Sequence, residues 1–292
     1  MVDVATGVES GVQIQPTHDI LAGAFRNDGS ILGVVQDGRG KVRAYEVSVE
    51  QPARPLSPPV PAGVFEFSVA GDMVLAASCD GRGRSYSLDL RHPTNWRPVR
   101  AFCNATLSPD GRTVASSPDG RTVVTSSLDG RGGPERALEL AELEGLPLGV
   151  VEDPQIVGKL AWGDGGLAAI VAGRTRLAVV TVAPDGSVAT VGIGESSAGY
   201  GFAAAWVPEG AELAIANSTH TESIVRSLDV PAGRGSVLGL IDEPIRDLVW
   251  SPSSDVLLAA TPFSWVFVDP EGGWLQKVPV SRSRGTPVAW AI

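Results

Sequence analysis

Lys159-Leu160-Ala161-Trp162 decides the fold, because its shape returns along the chain. Ala203-Ala204-Ala205-Trp206 and Asp247-Leu248-Val249-Trp250 follow it, and Pro287-Val288-Ala289-Trp290 ends the series. The tryptophans are 44, 44 and 40 residues apart. Upstream, Phe25, Val69 and Leu107 take the same place, at spacings of 44, 38 and 55. One apolar landmark every 44 residues or so is the period of a four-stranded propeller blade.

The residues between landmarks fit that reading. Each landmark precedes a turn, such as Asn27-Asp28-Gly29, Ser108-Pro109-Asp110-Gly111 or Asp164-Gly165-Gly166. Glycine supplies positive φ and proline fixes φ near −65°, so these are hairpin connections. A short apolar strand follows, as at Ala168-Ala169-Ile170 or Leu257-Leu258-Ala259. A third, alternating strand comes next (42–47, 177–182, 263–268), then a weaker fourth (188–191, 237–240, 275–278). Seven landmarks predict an all-β, seven-bladed β-propeller of four-stranded antiparallel blades, with residues 1–292 as a single domain. The last blade is expected to be shared by the two termini, with the strand at 286–291 joining segments within residues 1–15. Such sharing removes exposed sheet edges.

Leu107-Ser108-Pro109-Asp110-Gly111-Arg112-Thr113-Val114-Ala115-Ser116-Ser117 resembles the middle of a WD40-type repeat. Val249-Trp250-Ser251-Pro252 with Leu257-Leu258-Ala259-Ala260 resembles it too. The Gly-His start and Trp-Asp end of strong repeats are missing, so that family's Asp/His/Ser/Trp hydrogen-bond network is not expected. The chain resembles a degenerate WD40-like or TolB-like propeller. The resemblance implies a protein-interaction platform.

Composition narrows the function. Hydrophobic residues at 43% and charged residues at 19% supply a large core and exclude a disordered chain. A net charge of −10 argues against nucleic acid as the partner. Arginine far exceeds lysine, which with the Ala, Gly and Val content points to a GC-rich bacterial genome. Residues 1–20 lack the basic start and apolar stretch of a signal peptide, and no run approaches the ~20 apolar residues of a membrane helix. The expected location is cytoplasmic, with no membrane segment. Cys79 and Cys103 form no CxxC or Cys/His cluster, which excludes a structural zinc site. Two buried free thiols are expected; a disulfide between neighbouring blades is the alternative.

No sequence motif of a hydrolase, phosphate-binding loop or metalloprotease occurs. His18, His92 and His220 form no pair with metal-ligand spacing. A propeller enzyme with a channel metal needs carboxylates or amides near the starts of inner strands. Asp19, Asn104 and Asp247 are the candidates, and Lys159 would oppose a cation there. The expected function is therefore a non-catalytic scaffold or adaptor with no cofactor. A metal-dependent hydrolase or lactonase and a ligand-sensing propeller of a larger protein are the alternatives.

The turns between second and third strands carry a pattern of their own. Asp37-Gly38-Arg39, Asp80-Gly81-Arg82, Asp119-Gly120-Arg121 and Gly173-Arg174 occupy that turn in blades one to four. All such turns meet one face, so Arg39, Arg82, Arg121 and Arg174 are expected on an arc. His220 follows in blade five, and Phe263 and Trp265 in blade six. The 55-residue interval adds a long connector on the same face, with Leu146 and Leu148 as apolar contacts. Arginine and aromatic residues are enriched at interaction hot spots, so an acidic protein segment is the expected partner. The competing explanation is that Asp-Gly-Arg is simply a soluble hairpin turn, since it recurs at Asp110-Gly111-Arg112.

Overall fold

A computed structural model describes residues 19–25, 31–47, 52–63, 65–79, 84–128, 136–147, 149–195, 201–208, 210–251, 253–271 and 274–279. Within them the chain folds into six four-stranded antiparallel sheets, each built from four strands that pair in chain order. The inner strands are Asp19–Phe25, Phe65–Ala70, Thr106–Leu107, Gln155–Gly163, Gly201–Trp206 and Asp247–Trp250. Successive inner strands pack side by side. Among the described residues this is a β-propeller of six blades.

The expected seventh blade is thereby corrected. Six of the seven landmarks lie on inner strands. The seventh, Trp290, lies outside the described residues, and a landmark by itself does not count a four-strand blade. The segments at 1–15 and 286–291 assigned to a shared blade lie outside the described residues.

The second strands explain why the blades stack. Gly166–Ala172 is buried along almost its whole length, so both faces of the strand are covered by protein. Side chains alternate between faces. Leu167, Ala169 and Val171 therefore join Val123 and Leu140 of blade three, while Ala168 and Ile170 join Leu213 and Ile215 of blade five. The same division recurs at the other joints. Leu32 and Val34 of blade one meet Val74 and Ala76 of blade two, and Leu75 and Ala77 turn the other way to meet Leu107 and Val114. Ala214 and Ala216 meet Leu257 and Ala259. A strand covered on both faces reads as a continuous apolar run, which is why these stretches show no polar alternation.

Two landmark tryptophans lock their joints. Trp250 is buried and donates its Nε1–H to the Ala205 carbonyl of the preceding blade, 3.2 Å away. Trp206 is also buried and lies on the turn of blade four. A Cβ at Gly163 or Gly165 would run into its side chain, so both glycines are required by close approach rather than by turn geometry. Trp162 is half-buried against the joint of blades three and four.

Cys79 and Cys103 are joined in a disulfide, with Cα atoms 4.7 Å apart. The expectation of free thiols is overturned. Cys79 follows the second strand of blade two and Cys103 lies in the connector to blade three, so the propeller brings two distant residues to one place. The bond clips the outer hairpin of blade two to the connector that follows it.

Two stability predictions follow from these joints. Trp206→Ala should cost roughly 3–5 kcal/mol, as for other large core truncations. Gly165→Ala should destabilise the parent but cost much less beside Trp206→Ala, a coupling of about 1 kcal/mol or more in urea melts of the four-variant cycle. Additive costs would show that the ring does not rest on the turn. Replacing both cysteines by serine, which opens a loop of sequence separation 24, should remove about 3 kcal/mol relative to the oxidised protein. Added reductant should bring the parent to the same midpoint.

Candidate functional site

Four strands per blade, an even number, return the chain to one face of the ring. Every second-to-third-strand turn and every blade-to-blade connector therefore shares that face. Hydrogen bonds confirm the pairing of turn and connector. In blade two, Ser85 Oγ accepts from Ser78 N–H at 2.8 Å and donates to the Ala101 carbonyl at 2.6 Å. In blade five, Ser223 Oγ donates to the Glu243 carbonyl at 2.8 Å and accepts from Ile245 N–H at 2.9 Å. In blade six, Ser264 Oγ donates to Glu243 Oε2 at 2.9 Å. These serines are fully or almost fully buried. Each sits at or next to the first residue of its third strand and bonds the connector through its hydroxyl, Ser85 and Ser223 at the backbone and Ser264 at the Glu243 carboxylate. They were invisible in the sequence, where serine near a turn is commonplace.

Glu243 ties several elements of this face together. Its carboxylate accepts from Lys277 Nζ at 2.7 Å, from Ser264 and from the Thr261 hydroxyl. Burial pushes its carboxyl up, yet the bonds from Lys277, Thr261 and Ser264 outweigh that and hold it below the usual carboxylate range. Lys277 also bonds Asp242 at 2.8 Å.

The expected partner-binding residues divide into three groups. Arg39, Arg121, Arg174, His220 and Phe263 are exposed on second-to-third-strand turns, Phe263 at 55%. Arg82 and Leu148 lie outside the described residues. Leu146 and Trp265 are half-buried against core clusters and are held by the fold itself. The Asp-Gly part of the arginine turns is structural. Asp119 Oδ1 accepts from the backbone N–H of Arg121 and Thr122 at 2.8 and 2.7 Å, and Gly120 takes φ 75°. Asp110 does the same for Arg112 at 3.0 Å on the opposite face. The turn explains Asp and Gly; it leaves the arginine side chain unassigned.

The long connector sets the charge of the face. It is pinned over blade four: Val150 is fully buried, Thr175 N–H bonds the Gly149 carbonyl at 3.2 Å, and any Cβ at Gly173 would strike the Val150 backbone. Its tip exposes Val151 at 55%. Next to it, Asp153 pairs with Arg121, and Glu152 lies 3.7 Å from Arg174. Both pairs are exposed and contribute little to stability. Sequence reasoning missed these carboxylates because they come from a different turn than the arginines.

The inner strands enclose a channel of about 1,070 Å³. Lys159, Asp247, Glu66 and Asn104 line it together with aromatic side chains. Lys159 acts electrostatically on Asp247 and draws its carboxyl down. Glu66 accepts from Asn104 N–H at 2.7 Å. Its carboxylate lies near the sulfurs of Cys79 and Cys103, but oxidised cysteines offer no thiolate to a metal. The Asp19 side chain lies outside what the structure describes.

The architecture is that of a β-propeller, and the comparisons agree. No family model matches the chain, and no curated protein does either. Among solved structures, hydrazine synthase of Kuenenia stuttgartiensis is similar over 97% of this chain and 93% of that one, with TM-score 0.70 and 13% identity. At that identity the likeness shows the fold alone. The fold is widely shared, with 974 matching solved chains, so it selects no activity. Among the described residues no helix is long and apolar enough to cross a membrane.

Glu243→Gln should lower stability by about 1–2 kcal/mol, because a charged acceptor of several bonds is lost. The sign of the pH dependence follows from the depressed carboxyl. Its contribution is complete above the ordinary value of 4.5 and is lost as pH falls through the folded value. The gap between parent and variant in urea melts should therefore close on acidification from neutral pH and not on alkalinisation towards pH 8.

Proposed function

We propose that the protein is a non-catalytic interaction platform, a WD40-like or TolB-like propeller, that holds a protein partner against the connector face. One observation carries the reading: the rigid turns of that face present exposed Arg39, Arg121, Arg174, His220 and Phe263, with Val151 beside them. Guanidinium groups and an aromatic ring on a fixed frame are the side chains that anchor protein interfaces.

The chemistry favours an acidic partner segment. Glu152 and Asp153 already lie against Arg174 and Arg121. They occupy the guanidiniums as carboxylates of a partner would, and exposed pairs exchange at little cost. Arg39 has its backbone N–H tied to Asp37 at 2.9 Å, which aims the residue outward. Phe263 and Val151 add apolar contact area. The disulfide supports an oxidising compartment as the place of action, in place of the cytoplasm that the sequence suggested.

A photo-crosslinking residue at position 263, and separately at 112 on the opposite face, tests the reading in cells that naturally make the protein. Position 263 should yield a defined protein adduct and position 112 should not. Arg39→Glu with Arg174→Glu should reduce that adduct about tenfold or more, with the melting temperature almost unchanged. Adducts from position 112 alone, or adducts from 263 that survive charge reversal, would falsify the assignment of this face.

A further inference from the structure

The channel holds a feature that an interaction platform does not need. The inner strand Gln155–Gly163 breaks its ladder: Val157 pairs with Ile170 and Ala161 with Ala168, so three residues face one. Gly158 turns this bulge at φ 73°, and a Cβ there would strike the Phe202 carbonyl of the next blade. Leu160 N–H leaves the ladder to bond the Asn104 carbonyl at 3.3 Å. Lys159 stands at the centre of the bulge, exposed to the lumen. Its Nζ reaches the Phe67 carbonyl of blade two at 3.2 Å. A bulge re-aims a side chain at the cost of ladder bonds, and such devices cluster at functional sites.

Asp247 faces the same lumen from blade six. Among the described residues its Oδ1 accepts the adjacent Leu248 N–H alone, at 3.0 Å. Surrounding protein pushes its carboxyl above the ordinary range, and Lys159 draws it only part of the way back. The two opposite charges thus sense each other without closing an ion pair. Phe65, Phe67, Trp162 and Phe202 line the walls, and Arg246 lies in the connector beside Asp247.

We propose that the channel is a binding site for a zwitterionic ligand of the amino-acid or short-peptide class, its carboxylate on Lys159 and its ammonium on Asp247. A ligand ammonium would relieve the burden of keeping Asp247 ionised among protein atoms. The carboxylate would use the Nζ donors that the Phe67 bond leaves over among the described residues. Aromatic walls favour an apolar or aromatic side chain, and the volume accommodates more than one residue. The assignment stands apart from the connector-face reading, since it uses none of the same side chains.

Isothermal titration of the intact protein with four probes tests it. L-phenylalanine and L-phenylalanyl-L-phenylalanine carry both charges; phenethylamine and 3-phenylpropionate carry one each. At least one zwitterion should bind with one-to-one stoichiometry and about tenfold tighter than either single-charge analogue. Which zwitterion binds better distinguishes free amino acid from peptide. Lys159→Met and Asp247→Asn should each abolish the preference. The probe series on the parent decides the matter even where a variant folds poorly. No binding by either zwitterion, equal binding by all four probes, or an unchanged preference in well-folded variants overturns the proposal.

Discussion

Burial of the second strand of each blade on both faces is the constraint on which the rest depends. A strand such as Gly166–Ala172 has no side turned to water, so neither face is stable until a neighbour covers it. Leu167 and Ala168, adjacent in sequence, serve different joints. No blade is therefore an independent unit. The ring positions everything else: the lumen is what remains between inner strands, and the connectors cross over the joints.

The same packing separates two kinds of surface. The connector face is rigid because buried serines, Glu243 and the Cys79–Cys103 bond attach connectors to turns. Side chains beyond those anchors are free to vary, and there arginine, phenylalanine and valine stand exposed. The lumen is the reverse case. Its walls are the ends of core residues, and Lys159 stands among them where its strand bulges. Lys159 and Asp247 are costly to place, whereas Arg39 and Arg174 are cheap to place and lightly held.

The fold was legible because apolar periodicity and Asp-Gly turns are local signals. The landmarks at Phe25, Val69, Leu107, Trp162, Trp206 and Trp250 all fall on inner strands. The blade count was not legible, because a landmark such as Trp290 is a local pattern, whereas a blade needs four strands that pair. Arg39, Arg121 and Arg174 fell on the expected turns because hairpin position follows from strand order. Their carboxylate neighbours Glu152 and Asp153 did not, since that contact is made through the tertiary path of the connector. The disulfide is not legible in the sequence, because its two residues meet only when the second strand and the next connector are both in place. The bulge at Lys159 was hidden for a similar reason: a register shift shows in the pairing of two strands and never in one of them.

The contact of Trp206 with Gly163 and Gly165 has a consequence for how this chain changes over time. A large side chain on one blade is tolerated only while the previous blade keeps its turn bare. The inherited unit is thus the joint, not the repeat. Each copy is free to lose its resemblance to the others provided that it changes together with the neighbour it touches. Repeat motifs then fade while the ring persists, and coordinated substitutions about one blade length apart become the lasting signature of descent.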